Sequence, residues 1–163
     1  MTAPLIVGWK ESCALPELGI VDLPVKADTG ARTSALHVIS AARITPSDGP
    51  PRIRFEADLT GTGTQTYEAA AAESRMVRSS NGEVEERLAI RTRLVLGGMN
   101  RAVDITLTNR NDMRFPMLVG RTSLRRGVLV NPLQSFLVSR RVEPGGPTEP
   151  EDADISEHEV GDD

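Results

Sequence analysis

Aromatic side chains are scarce: the 163 residues hold only Trp9, Phe55, Tyr67, Phe115 and Phe136, so a core must be assembled from Val, Ile, Leu and Ala. The one cysteine, Cys13, excludes an internal disulfide and fits a reducing compartment. The two histidines, His37 and His158, come without a His-Glu-x-x-His or Cys-x-x-Cys spacing. A metal would be left with an improvised set of His37, Asp28 and Cys13, and no cofactor is expected. Gly61-Thr62-Gly63 is not followed by a third glycine or by Gly-Lys-Ser/Thr, so a phosphate-binding loop is missing too. No segment approaches the ~18 consecutive apolar residues of a membrane span. Met1 to Gly8 lacks the basic start and sustained apolar run of a signal peptide. These absences lead to the expectation of a soluble, cytoplasmic protein with neither membrane nor nucleic acid as partner.

Lysine is nearly absent as well. Of 19 cationic residues only Lys10 and Lys26 are not Arg, a bias that a GC-rich genome also produces. Arg presents a planar fork that pairs carboxylates through two hydrogen bonds, which Lys cannot do. The net charge of −4 conceals an uneven distribution: residues 1–142 carry all 19 cations against 14 acids, and residues 143–163 carry nine acids with no Lys or Arg. Residues 1–142 suit one domain with a real core, or one half of a symmetric enzyme. Residues 143–163, which include Pro144-Gly145-Gly146-Pro147, have almost no large apolar residue and are expected to form a disordered acidic tail. A basic body of this kind attracts acidic partners.

Short runs of Val, Ile, Thr and Leu, punctuated by Gly, Asn and Pro, predict a mainly β chain. Arg52 to Leu59 alternates Ile53, Phe55 and Ala57 with Arg54, Glu56 and Asp58, the period of a half-buried strand. Gly61-Thr62-Gly63 turns it toward a partner beginning at Thr64, and Tyr67 to Ser74 reads as strand despite its alanines. Leu88–Leu96 and Arg101–Thr108 form a hairpin around Gly97-Gly98. Thr122 to Arg126 is expected as a helical turn, with Val128–Val130 and Ser135–Val138 as the last strands. A succession of hairpins with little helix argues for a small, partly closed barrel.

One stretch stands apart from this pattern. A short apolar strand, Ile20 to Val25, runs through Lys26 and Ala27 into Asp28-Thr29-Gly30-Ala31-Arg32. Such a turn points a carboxylate outward, where the Thr29 hydroxyl and nearby N–H groups can donate to it and Gly30 permits a backbone angle that other residues resist. Far downstream comes Met117-Leu118-Val119-Gly120-Arg121-Thr122-Ser123-Leu124. Together the two segments resemble the retroviral-type (retropepsin-like) aspartic peptidases. The likeness extends to a bacterial subfamily often labelled ATP-dependent zinc protease, through Val7-Gly8-Trp9, Ala14 to Gly19, Lys26 to His37, Leu94 to Gly98, Thr106 to Arg110 and Met113 to Phe115. It covers roughly residues 5–138. The resemblance implies a single-lobe acid-protease barrel per chain, with Asp28, Thr29 and Gly30 as the catalytic loop and Ala31, Arg32 and Arg121 beside the substrate.

A single Asp-Thr-Gly implies a C2 homodimer, because peptide hydrolysis in this family needs two carboxylates about 3 Å apart that share one proton and activate water. Genes of the subfamily commonly neighbour a ribosomal-protein glutamate ligase, which implies an acidic, glutamate-extended substrate such as a glutamate-tailed ribosomal protein. Two other readings stay open: a non-catalytic binding or regulatory partner of the glutamate ligase, and a zinc metallopeptidase. The chain departs from viral members at Arg32, where they tend to carry an acid that pairs with the downstream Arg. Arg121 therefore needs a different partner, and Arg32 favours a negatively charged substrate. The distance from Asp28 to Gly120 implies an insertion. Within it, Arg78-Ser79-Ser80-Asn81-Gly82-Glu83 is the tight-turn candidate for a flap, although an ordinary surface hairpin would read the same way.

Overall fold

The computed structural model describes residues 3–78, 81–109 and 114–144. The expected tail from Gly145 onward, His158 within it, and Ser79-Ser80 of the expected flap turn lie outside the described residues. The strands are β1 (Leu5–Gly8), β2 (Lys10–Leu15), β3 (Ile20–Ala27), β4 (Ser34–His37), β5 (Ser40–Ile44), β6 (Arg52–Ala57), β7 (Gln65–Arg78), β8 (Val84–Leu96), β9 (Met99–Thr108), β10 (Met117–Val119) and β11 (Val128–Asn131). A single helical turn, α1 (Arg121–Leu124), separates the last two strands. No described helix is long and apolar enough to cross a membrane.

Six strands close a barrel in the order β2-β3-β10-β4-β9-β8, and the ring is completed where Ala14 of β2 pairs with Val95 of β8. The sheet continues outward from β8 through β7, β6 and β5. Side-chain alternation explains which faces turn inward: Ile53, Phe55 and Ala57 are buried, while Arg54 and Glu56 face water. Ile90, Leu94 and Leu96 meet Val103, Ile105 and Leu107 from across the β8–β9 hairpin in the same aliphatic core. That hairpin turns on Gly97-Gly98, with Gly97 at φ 57°, and a Cβ there would come within 2.8 Å of the Val138 side chain. The turn needs a left-handed residue, and its packing needs one without a side chain.

The β7–β8 hairpin is longer than the barrel requires. β8 pairs with β9 only from Ala89 onward, so Val84 to Arg87 pair solely with Arg75 to Arg78 of β7. Between Ala72 and Arg75 the register shifts, with three steps along β7 matched by two along β8. Such a bulge bends the ladder and re-aims the arm beyond it.

Ser135–Val138 is not the expected strand. Phe136 takes a positive φ of 54°, which a continuous strand cannot contain. The segment is held by a side chain in place of a neighbouring strand. The Glu11 carboxylate, buried on β2, accepts hydrogen bonds from Leu137 N–H at 2.9 Å, Val138 N–H at 3.3 Å, the Ser139 hydroxyl at 2.6 Å and Gly8 N–H at 2.6 Å. Phe136 N–H donates to the Lys10 carbonyl, and Lys10 reaches Glu143 at 3.4 Å while lying over the Trp9 and Phe136 rings. An acceptor-only group facing four donors cannot be replaced by methyl without stranding them. Glu11→Ala is therefore expected to lower unfolding stability by about 3 kcal/mol or more in urea titrations, with Glu11→Gln recovering part of the loss. A change below about 0.5 kcal/mol, the range of ordinary surface substitutions, would contradict this role for Glu11.

Candidate active site

β10 lies between β3 and β4, running parallel to the first and antiparallel to the second. The chain leaving β3 at Ala27 must therefore cross the end of β10 before it can enter β4 at Ser34. Asp28 to Thr33 make that crossing. Asp28 N–H donates to the Val119 carbonyl at 2.8 Å, and Ala31 N–H closes a turn onto the Asp28 carbonyl at 3.1 Å. From the other side, Arg121 N–H donates to the Ala31 carbonyl at 2.8 Å and Thr122 N–H to the Arg32 carbonyl at 3.0 Å. Two distant segments of sequence thus bond to each other like neighbouring strands.

A buried polar contact locks the corner. The Ser34 hydroxyl accepts from Gly120 N–H at 3.0 Å and lies 2.7 Å from the Ser123 hydroxyl. Gly120 has room for nothing larger, since a Cβ would come within 2.5 Å of the Thr33 carbonyl group. Ser34 and Ser123 did not emerge from the sequence reading, although a signal was present. Arg32-Thr33-Ser34 and Arg121-Thr122-Ser123 repeat the same tripeptide, and the two copies face each other here.

The Arg121 guanidinium donates to the Thr29 carbonyl at 3.1 Å and the Gly30 carbonyl at 3.2 Å, so the partner this cation lacked in sequence is the backbone of the Asp-Thr-Gly loop. Two expectations need correction. Gly30 does not adopt a left-handed backbone, and Thr29 donates no hydroxyl hydrogen bond to Asp28. A Cβ on Gly30 would sit 3.5 Å from Asp28 Oδ1, an ordinary contact, so the glycine serves to leave one face of the carboxylate bare. The Asp28 carboxylate has no hydrogen-bond or ion-pair partner among the described residues.

Asp28 is half-buried and opens into a cleft of about 460 Å³. Ala31, Arg32 and Leu118 line one side, and Arg75, Met76 and Arg78 of the hairpin arm line the other. The β7–β8 hairpin thus brings Arg75, Arg78 and Arg87 to the same cleft as Arg32, and of the expected flap turn Arg78 lines it. Arg78 belongs to that turn, whereas Arg75 and Arg87 could not be placed at the site from sequence, because only the register and the bulge of β7 bring them there. Behind the loop a mostly apolar hollow of about 470 Å³ runs from Thr29 and Arg121 to Leu124, Val128, Leu129 and Pro132.

The improvised metal set does not assemble, and no three His, Cys, Asp or Glu side chains gather to hold an ion among the described residues. Cys13 is buried in the barrel, and burial pushes its thiol up to about 12, away from thiolate reactivity. The Gly120 contact yields a direct comparison. Gly120→Ala is expected to cost about 2 kcal/mol of stability, because the backbone it strikes cannot yield cheaply. Gly30→Ala should stay within about 1 kcal/mol. Equal losses in chemical denaturation would contradict this account of the corner.

A family model described as RimB-like, retropepsin-like aspartic endopeptidase RimB, matches residues 6–141. A relative from Shewanella halifaxensis (strain HAW-EB4), named "Probable alpha-L-glutamate ligase", is 35% identical over 139 residues, which is 83% of this chain and 30% of the relative. A protein of the same name from Parasynechococcus marenigrum (strain WH8102) is 39% identical over 137 residues, covering 81% of this chain and 29% of the relative. The chain therefore spans about 30% of the length of the curated relatives it matches. A crystal structure of a protein of unknown function from Legionella pneumophila superposes with a TM-score of 0.71 at 26% identity, over 83% of this chain and 98% of that one. With the Asp-Thr-Gly loop, its Gly-Arg brace and the closed barrel all lying inside the matched span, the chain belongs to the RimB-like family of retropepsin-like aspartic endopeptidases.

Proposed function

We propose that the chain is an aspartic peptidase that works in the cytoplasm as a C2 homodimer and hydrolyses acidic, glutamate-extended peptides or proteins between two Asp28 carboxylates. The observation that carries this reading is the position of Asp28, held rigidly through its backbone while its carboxylate faces a cleft with no partner from its own chain. One carboxylate is a poor catalyst of amide hydrolysis. Two in close contact cannot both ionise, so they hold one proton between them. The ionised member takes a proton from water, the protonated member polarises the scissile carbonyl, and water adds to the carbonyl carbon. Collapse of that adduct expels the amine, which receives the proton. Thr29 and Gly30 shape the loop, the bare face at Gly30 and the small Ala31 admit the substrate backbone, and Arg121 holds the loop from behind.

A surface suited to a second copy adjoins the loop. β1 and β11 pair only with each other, as a small parallel sheet, and leave Ile6 48%, Leu129 55% and Leu133 72% exposed. Leu129 also lines the apolar hollow that reaches Thr29, so covering this face brings a partner up to the catalytic loop. Exposed aliphatic groups gathered at one place favour association.

Substrate chemistry follows from charge and kinship. Arg32, Arg75, Arg78 and Arg87 surround the cleft, with Asp28 the only acid in its wall among the described residues. The curated relatives named as probable glutamate ligases contain a segment like this chain, which supports a role on the product of such a ligase. The same kinship favours a second reading, in which the barrel binds and regulates a glutamate ligase without turnover.

Incubation with a glutamate-tailed peptide, followed by mass spectrometry, separates the two readings. Wild type should release shortened products, while Asp28→Asn should lower the rate by about 10³-fold or more without changing the oligomeric state. Cleavage surviving in Asp28→Asn would reject the mechanism. A doubly substituted Leu129→Asp, Leu133→Asp protein should sediment as a monomer and be inactive. A monomeric wild type that still cleaves would remove the dimer from the account.

A further inference from the structure

A second hollow opens beside the Asp28 cleft, with a volume of about 290 Å³. Arg32, Thr33 and Arg75 line both, so the two adjoin. Its remaining wall includes Arg91, Asp104, Thr122 and Arg125, which places four guanidinium groups around a single carboxylate. Genomic preference can explain how many arginines the chain has. It does not explain four of them, from the catalytic loop, β7, β8 and the residue after α1, converging on one hollow.

The hydrogen bonds in this hollow are incomplete. Asp104 accepts from Arg75 Nη2 at 3.1 Å and from Arg91 Nη1 at 2.8 Å, and so holds two cations with one anion. Arg75 Nε is buried and has no acceptor. The guanidinium groups of Arg32 and Arg125 pair with no described residue. A cation surplus of this kind calls for an anionic acceptor from outside the chain, met by the guanidinium ends that line the hollow while the shut-in Nε stays out of reach. Arginine forks match the two oxygens of a carboxylate, in geometry as well as in charge.

We propose that this hollow is a subsite that binds a side-chain carboxylate of the substrate, next to the residues whose peptide bond lies over Asp28. Arg75 and Arg125 supply the donors, Asp104 fixes the Arg75 and Arg91 side chains, and Arg32 spans the boundary between subsite and cleft. The inference rests on the peptidase reading for what is bound, and it adds where the acidic side chain goes. A position beside the scissile bond then adds specificity to the cationic wall of the cleft.

Binding and cleavage are measured separately, so that the subsite and the chemistry can fail independently. Fluorescence anisotropy with an Asp28→Asn background uses a labelled, C-terminally amidated oligoglutamate peptide and its single Glu→Gln analogues, and an unamidated peptide tests whether a terminal carboxylate is read instead. Arg125→Gln removes a cation whose side chain pairs with no described residue, and Arg75→Lys keeps the charge while removing the guanidinium fork. Each should weaken binding of the glutamate peptide about tenfold. Neither should weaken further the analogue whose Gln occupies the subsite. Arg43→Gln, which removes the same charge outside both hollows, is the control and should leave affinity within about twofold. Losses at Arg125 and Arg75 no larger than at Arg43, losses equal for every Gln analogue, or dependence on the terminal carboxylate alone would overturn the proposal. Arginine-dependent binding by a wild-type protein that cleaves nothing would leave the subsite standing and remove the peptidase reading.

Discussion

The hydrogen-bonded corner between the Asp28 loop and the β10–α1 segment is the constraint on which the rest depends. Strand β10 occupies the gap between β3 and β4, so the loop that joins those strands has no sheet of its own to rest on. Its backbone groups find partners instead at Val119, Arg121 and Thr122, and the Ser34–Ser123 hydroxyl pair closes the space beneath. Every bond in the corner leaves the Asp28 side chain out. The Asp28 carboxylate is thus carried on a firmly held backbone, with its own oxygens unspent among the described residues.

Arg121 shows how the same corner takes up a change elsewhere. Without an acid near position 32, this cation would be unpaired, and it turns to the Thr29 and Gly30 carbonyls. The loop thereby gains a brace, and Arg32 is left free to face the cleft. The charge of the cleft wall and the bracing of the loop are thus linked through two arginines that are 89 positions apart in sequence and adjacent to one loop in space.

A comparable economy appears on β2, where Glu11 pairs with Val25 of β3. The segment after β11 lacks a strand partner, and Glu11 replaces the missing ladder with one carboxylate. The sequence does not reveal this, because a Glu between Lys10 and Ser12 looks the same whether it faces water or a cluster of N–H donors. Ser135–Val138 likewise reads as strand, since apolar composition carries no sign of the positive φ at Phe136.

Much of the architecture was legible in one dimension. Period-two alternation in Arg52 to Ala57, the glycine pair at 97–98 and the Asp-Thr-Gly and Val-Gly-Arg segments depend on local sterics and on which side chains avoid water. Neighbours in sequence determine both. Tertiary structure alone decided the barrel closure at Ala14 and Val95, the bulge that swings Arg75 to Arg78 over Asp28, and the four guanidinium groups that meet around Asp104. Each of these joins residues tens of positions apart. Strand register and twist, set by the packing of the whole core, determine which of them meet.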